Sequence, residues 1–77
     1  MIEKKEKIIK DESFFVSVIS DSLNVRSTPK NDDDSNIVYQ ITDHSTHKIN
    51  ETSNGFGRIE DGNWIMLEYT KRVEVNG

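Results

Sequence analysis

Residues 54–67 read NGFGRIEDGNWIML, and the fold turns on them. Asn54-Gly55 is the strongest short hairpin signal, because both central residues of a type I′ turn take positive φ. Asp61-Gly62 supplies a second tight turn of the same chemistry. Phe56–Ile59 lies between the two turns and Asn63–Leu67 follows the second, while Thr46–Thr52 precedes the first as a polar strand anchored by Ile49. Strands joined by tight turns in this way make an antiparallel meander.

Working outward toward the N-terminus, Phe14–Ile19 alternates loosely and Leu23–Arg26 strictly, with Leu23 and Val25 on one side and Asn24 and Arg26 on the other. Pro29 and the polar run Lys30–Asn36 break pairing and make a long loop. Ile37–Thr42 resumes as a strand on which Ile37, Tyr39 and Ile41 share a face, so a buried Tyr39 ring with its hydroxyl at the edge is expected. Asp43–Ser45 reads as a turn. Beyond the meander, Glu68–Thr70 is a short 3-10-like turn and Lys71–Val75 a last strand. Five to seven strands in roughly 65 residues bury one face by curling into a small barrel.

Composition agrees with an all-β domain. Six Val, nine Ile and five Thr stand against two Leu and no Ala. Branching at Cβ suits a pleated sheet, and the missing Ala leaves little helix-forming filler. With 77 residues, one small domain is the limit, and a core this small leaves no room for a deep enzymatic cavity as well. No Cys is present, which removes disulfides, thiolate nucleophiles and cysteine zinc sites together. The formal charge of −4, with no basic cluster, excludes the phosphate neutralisation on which nucleic-acid binding depends. No apolar run approaches the roughly 20 residues of a membrane span, and MIEKKEKIIKDES is too charged for a secretory signal.

Residues 1–12 differ from the rest. Lys4, Lys5, Lys7 and Lys10 balance Glu3, Glu6, Asp11 and Glu12, so the whole charge excess falls on 13–77. Glu3 with Lys7 and Glu6 with Lys10 have helical i,i+4 spacing, each pair contributing only about 0.2–0.5 kcal/mol. The segment reads as a linker or short frayed helix, and Ile2, Ile8 and Ile9 offer a weak contact face for a partner chain, a homo-oligomer included.

Three motifs, LNVRSTP at Leu23–Pro29, NGFGRI at Asn54–Ile59 and NWIMLEYTKRV at Asn63–Val73, resemble in order and spacing the bacterial SH3-like (SH3b) domains, whose fold is a small SH3-like β-barrel. The likeness covers about residues 15–75 and is greatest to the modules of clostridial-type autolysins and phage endolysins, which Phe56-Gly57-Arg58 and Tyr69–Val73 echo. Thr28 stands for the usual Gly, Asn63 for the Gly before Trp64, and Phe56 for the usual Trp; NDDDS at Asn31–Ser35 makes the loop unusually acidic.

The resemblance implies a non-catalytic module that binds peptidoglycan, through its peptide stem or cross-bridge, in a shallow groove beside the loop after LNVR. Such a module needs no cofactor. It holds a hydrolase catalytic domain, in the same chain or as a partner, against the Gram-positive cell wall by tethering. Met1 and the charged lead leave two origins open: a piece severed from a longer protein at a linker, or a module translated by itself from an internal start. Either is made in the cytoplasm and acts at the wall. The alternative is a protein–protein interaction module that binds an extended peptide of a protein partner.

For ligand binding, the resemblance brings forward Asn24, Arg26, Ser27, Thr28, Phe56, Trp64 and Tyr69. Trp64 shares a strand face with Met66, so it either offers a stacking surface at the rim or packs in the core; Phe56 and Tyr69 pose the same choice. Arg26 either contacts ligand or holds the loop's shape through hydrogen bonds to its carbonyls, which its five donors suit. Asp32, Asp33 and Asp34 lack the spaced ligands and closing Glu of a calcium hand and read as a solvated loop. Asp43, His44 and His47 do not converge on a metal, and no nucleophile elbow surrounds any Ser.

Overall fold

The structure, a computed structural model, describes residues 13–74. The expectations for residues 1–12 and for Val75 lie outside the described residues. Eight strands follow in order: β1 (Phe14–Val18), β2 (Leu23–Arg26), β3 (Ile37–Ile41), β4 (Thr46–Ile49), β5 (Glu51–Ser53), β6 (Phe56–Arg58), β7 (Trp64–Met66) and β8 (Thr70–Val73), with a 3-10 turn at Leu67–Tyr69. The expected meander is β5, β6 and β7, and β2 and β3 extend it into a five-stranded sheet of order β3-β2-β7-β6-β5. A second, three-stranded sheet has the order β4-β1-β8. The all-β class holds, in the form of two antiparallel sheets that do not close on themselves.

One expected strand proves to be two. Thr46–Ile49 pairs with β1 and Glu51–Ser53 with β6. The chain changes sheets at Asn50, whose N–H donates to Arg58 O at 2.9 Å. Such corners are how two packed sheets share a strand.

The two turns also differ from each other. Asn54 (φ 57°) and Gly55 (φ 80°) both take the left-handed region a type I′ turn demands. At the second turn only Gly62 does, at φ 89°. Its N–H donates to Ile59 O at 3.0 Å, and Ile59 N–H donates to Asn63 O at 2.9 Å. Glu60–Gly62 is therefore a three-residue hairpin loop with glycine last, not a two-residue turn.

The core between the sheets consists of Val16, Val18, Leu23, Val25, Ile41, Ile49, Ile59 and Ile65, with Phe14 and Leu67 packed against it. Tyr39 departs from expectation: it is 41% exposed. β3 is an edge strand, and the Tyr39 hydroxyl donates to the Asp61 carboxylate, which draws the ring over the surface toward the β6–β7 loop. Burial of Asp61 works against its charge, but the Tyr39 hydroxyl and the Asn63 N–H hold its carboxyl below the usual range. The same carboxylate pushes Tyr39 up to about 12.

Candidate functional site

Strand register sets out the face of the five-stranded sheet away from the core. Arg26 stands opposite Trp64, Trp64 opposite Arg58, and Phe56 opposite Met66, while Asn24 stands opposite Gln40. Directly opposed residues share a face, as do residues two apart on a strand. Phe56 and Trp64 are nonetheless buried, at 1% and 7% exposure, and neither belongs to the main core cluster. The long loop is tied across this face by two contacts: Asn54 Nδ2 donates to Pro29 O at 3.1 Å, and Asn31 Nδ2 approaches Met66 Sδ at 3.9 Å.

Arg26 is the loop's brace. Only 8% exposed, it donates from Nη1 to Asp33 O and to Asn36 Oδ1, both at 2.9 Å. Asn36 passes the restraint on, donating from Nδ2 to Thr28 Oγ1 at 2.8 Å and to Lys30 O at 3.0 Å. Asp33 accepts from the hydroxyl and the backbone N–H of Ser35, and these bonds hold its carboxyl below the usual range. Of the two roles open to Arg26 from sequence, the structure shows the loop-shaping one. The β2–β3 register shifts beside Arg26: Val25 stands opposite Tyr39 and Arg26 opposite Ile37, so Val38 is a bulged extra residue of β3, and Ile37 lies on the Arg26 face instead of sharing the face of Tyr39 and Ile41 as expected.

Beside the braced loop lies a groove of about 250 Å³. Asn24, Arg26, Gln40 and Met66 of the sheet's outer face line it together with Tyr69, and Ser20, Ser22 and Leu23 complete it. Gln40 Nε2 donates to Asn24 Oδ1 at 2.8 Å, which locks both amides in orientation and turns Asn24 Nδ2 and Gln40 Oε1 to other partners. One amide pair thus offers a donor and an acceptor side by side, the complement of a peptide group. Tyr69, 43% exposed, is held where Ile19 N–H donates to its carbonyl at 3.0 Å.

Of the residues singled out in the sequence, Asn24, Arg26 and Tyr69 come together at this groove. Ser27 and Thr28 line a separate hollow of about 400 Å³ inside the loop, with Lys30, Asp32 and Asn36. Phe56 and Trp64 line neither, and their burial leaves Tyr69 as the aromatic surface. Arg58 closes further over Trp64, its guanidinium 5.4 Å from the ring centre. Gln40 and Met66 are additions. Gln40 falls between Tyr39 and Ile41 and therefore projects with Asn24, and Met66 shares the Trp64 parity, so alternation carried both signals.

Elsewhere, Arg72 lies 4.2 Å over the Phe14 ring beside a hollow of about 580 Å³ at the opposite end of β1. Ser45 Oγ is 2.7 Å from His47 Nε2, and His47 Nδ1 is 3.2 Å from Glu60 Oε1. Glu60 also accepts from Lys48 N–H, so the cluster ties β4 to the β6–β7 loop of the other sheet. Among the described residues no group of His, Asp and Glu is arranged to hold a metal ion, and no helix is long and apolar enough to cross a membrane. Compared with protein-family models, curated proteins and solved structures, the chain matches none.

Proposed function

We propose that the chain is a non-catalytic SH3b-type module, its two sheets an opened SH3-like barrel, which binds peptidoglycan and brings a cell-wall hydrolase to its substrate. The observation that carries this reading is the groove, where the Asn24–Gln40 amide pair faces the exposed ring of Tyr69 beside a loop braced from within by Arg26. An amide pair reads the backbone of an extended peptide, and an aromatic edge covers its side chains, which fits a stem peptide or cross-bridge. The groove is shallow and holds no exposed cation, so recognition rests on hydrogen bonds and contact rather than on field strength. Tethering then raises the local concentration of an attached or associated catalytic domain.

Sedimentation of the labelled chain with purified Gram-positive sacculi, with and without teichoic acids, tests the proposal. Binding is expected with both, with weak dependence on salt, and Asn24→Ala and Tyr69→Ala are expected to abolish it while leaving the fold intact. Failure to sediment with any wall would refute the function. Binding that survives both substitutions would refute the assignment of the groove.

A further inference from the structure

β3 is bonded to β2 on one side, and among the described residues no strand pairs with its other side. An antiparallel strand so placed directs every second pair of N–H and C=O groups outward. Edges are commonly blunted by a charge, a proline or a bulge on the strand itself. The stretch 36–42, NIVYQIT, carries no charge and no Pro and is rich in β-branched residues; its one irregularity is the bulge at Val38, which leaves Tyr39–Ile41 as the regular part of the edge. Val38 is 53% exposed and Tyr39 41%.

The charges are at the two ends. Before β3 stand Asp32, Asp33 and Asp34, all exposed, with Lys30 as the exposed cation. Arg26, paired with Asp34 at 3.9 Å from within the loop, and Lys30 offset part of this charge, but three carboxylates against two cations leave the flank acidic. After β3 stands Asp43, with His44 next in the chain, and Asp21 precedes β2, whose Leu23 pairs with Ile41.

This arrangement discriminates between occupants. A second copy of β3, laid antiparallel and centred on Tyr39, would bring the acidic flank Asp32–Asp34 of each chain up to Asp43 of the other, gathering like charge at both ends. An incoming strand with cations at both ends meets acid twice. We infer that the free edge of β3 is a strand-addition site for an extended peptide segment of a protein partner, with a short uncharged β-favouring core flanked on both sides by lysine or arginine. The edge binds through its backbone, with side-chain contacts to Val38 and Tyr39 and the acidic ends setting register. This site is distinct from wall binding in the groove.

The test titrates the isotope-labelled chain with acetyl-KKVTVTVKK-amide, following backbone amides by NMR. Shift changes and slowed amide exchange are expected along Ile37–Ile41, with affinity falling roughly threefold or more as salt rises to about 0.15 M, where screening sets in at about 8 Å. Glutamates in place of the lysines, or N-methylation of alternate core residues, are expected to abolish binding. Val38→Lys, at a half-exposed position, is expected to weaken binding about tenfold while keeping the native spectrum. No perturbation of β3, equal binding of the glutamate peptide, or shifts confined to Asn24 and Tyr69 would overturn the inference. So would concentration-dependent dimerisation through β3 without peptide, which would make a second copy the occupant. Sedimentation with sacculi is expected to be the same for Val38→Lys as for the parent chain, which separates failure here from failure of the wall-binding reading.

Discussion

Gly57 sits in β6 between Thr52 of β5 and Ile65 of β7, on the core face. A Cβ added there would lie 2.8 Å from Leu67 Cδ2 and 2.9 Å from both Cδ1 and Cγ2 of Ile49. Carbon atoms rest at about 3.5–4.0 Å, so each contact falls short by roughly 0.6–1.2 Å. The Leu67 tip can swing aside, because that residue is only partly buried. Ile49 cannot: it is 0% exposed, and its branched Cγ2 moves only if χ1 turns the whole side chain against its neighbours. Overpacking of this kind costs about 1–3 kcal/mol, offset by about 0.4–1 kcal/mol from the stiffer unfolded chain of an alanine variant. A net loss of about 1–2 kcal/mol is expected for Gly57→Ala, which lowers Tm by roughly 5–15 °C in a domain of this size. Scanning calorimetry with urea unfolding measures both, and an unchanged m-value would show that the loss is native-state strain. Ile49→Val removes the Cδ1 contact and by itself costs about 0.5–1.5 kcal/mol. The double variant is expected to be less damaged than the sum of the single ones. Strict additivity, or a Gly57→Ala protein as stable as the parent, would refute the close approach of β6 to Ile49.

Other perturbations test the loop and its neighbours. Arg26→Met removes two charge-assisted bonds whose acceptors face water in part, and a loss of about 2 kcal/mol in urea unfolding is expected, with faster proteolysis within Lys30–Asn36. Tyr39 is expected to ionise near 12 by ultraviolet titration, and Asp61→Asn to return it toward 10. Because the fold favours the protonated phenol, its contribution to stability is complete below about pH 10 and is lost as pH rises through about 12. Glu60 is opposite in sign. Burial works against its charge, but bonds from its own N–H, Lys48 N–H and His47 outweigh this and lower its pKa below 4.5. Its contribution is present above that value and lost as pH falls through the folded pKa, so Glu60→Gln is expected to flatten the acid limb of the stability curve.

Strand positions were legible wherever glycine or alternation marked them. Asn54-Gly55 fixed one hairpin because no other dipeptide suits two successive positive φ values so well. Asp61-Gly62 looked the same and was not, since Asp61 can take an ordinary turn conformation and leave the positive φ to glycine alone. The corner at Asn50 left no mark, because Asn50 is as polar as its neighbours and a change of sheet needs no special residue. Burial on the outer face was the largest gap. Parity left Phe56 and Trp64 open between a stacking surface and packing, and their burial is decided by contacts across the outer face, where Arg58 lies over Trp64 and Asn54 ties the loop to the sheet, that no single strand shows. The groove was half readable: Asn24 and Tyr69 came from motif likeness, whereas Gln40 joins them only once β2 and β3 are in register.

The burial of Trp64 has a practical consequence. It is the only tryptophan in the chain, it stands opposite Arg26, the brace of the loop, and under the Arg58 guanidinium, and Met66, which lines the groove, is two residues away on the same face. Its emission therefore senses one place: the seam between loop and sheet. Releasing the loop from Arg26 would loosen the packing beside the indole and shift its fluorescence to the red, and iodide, which cannot reach the buried ring, would begin to quench it. The chain carries an intrinsic optical gauge of whether the strap beside its groove is shut.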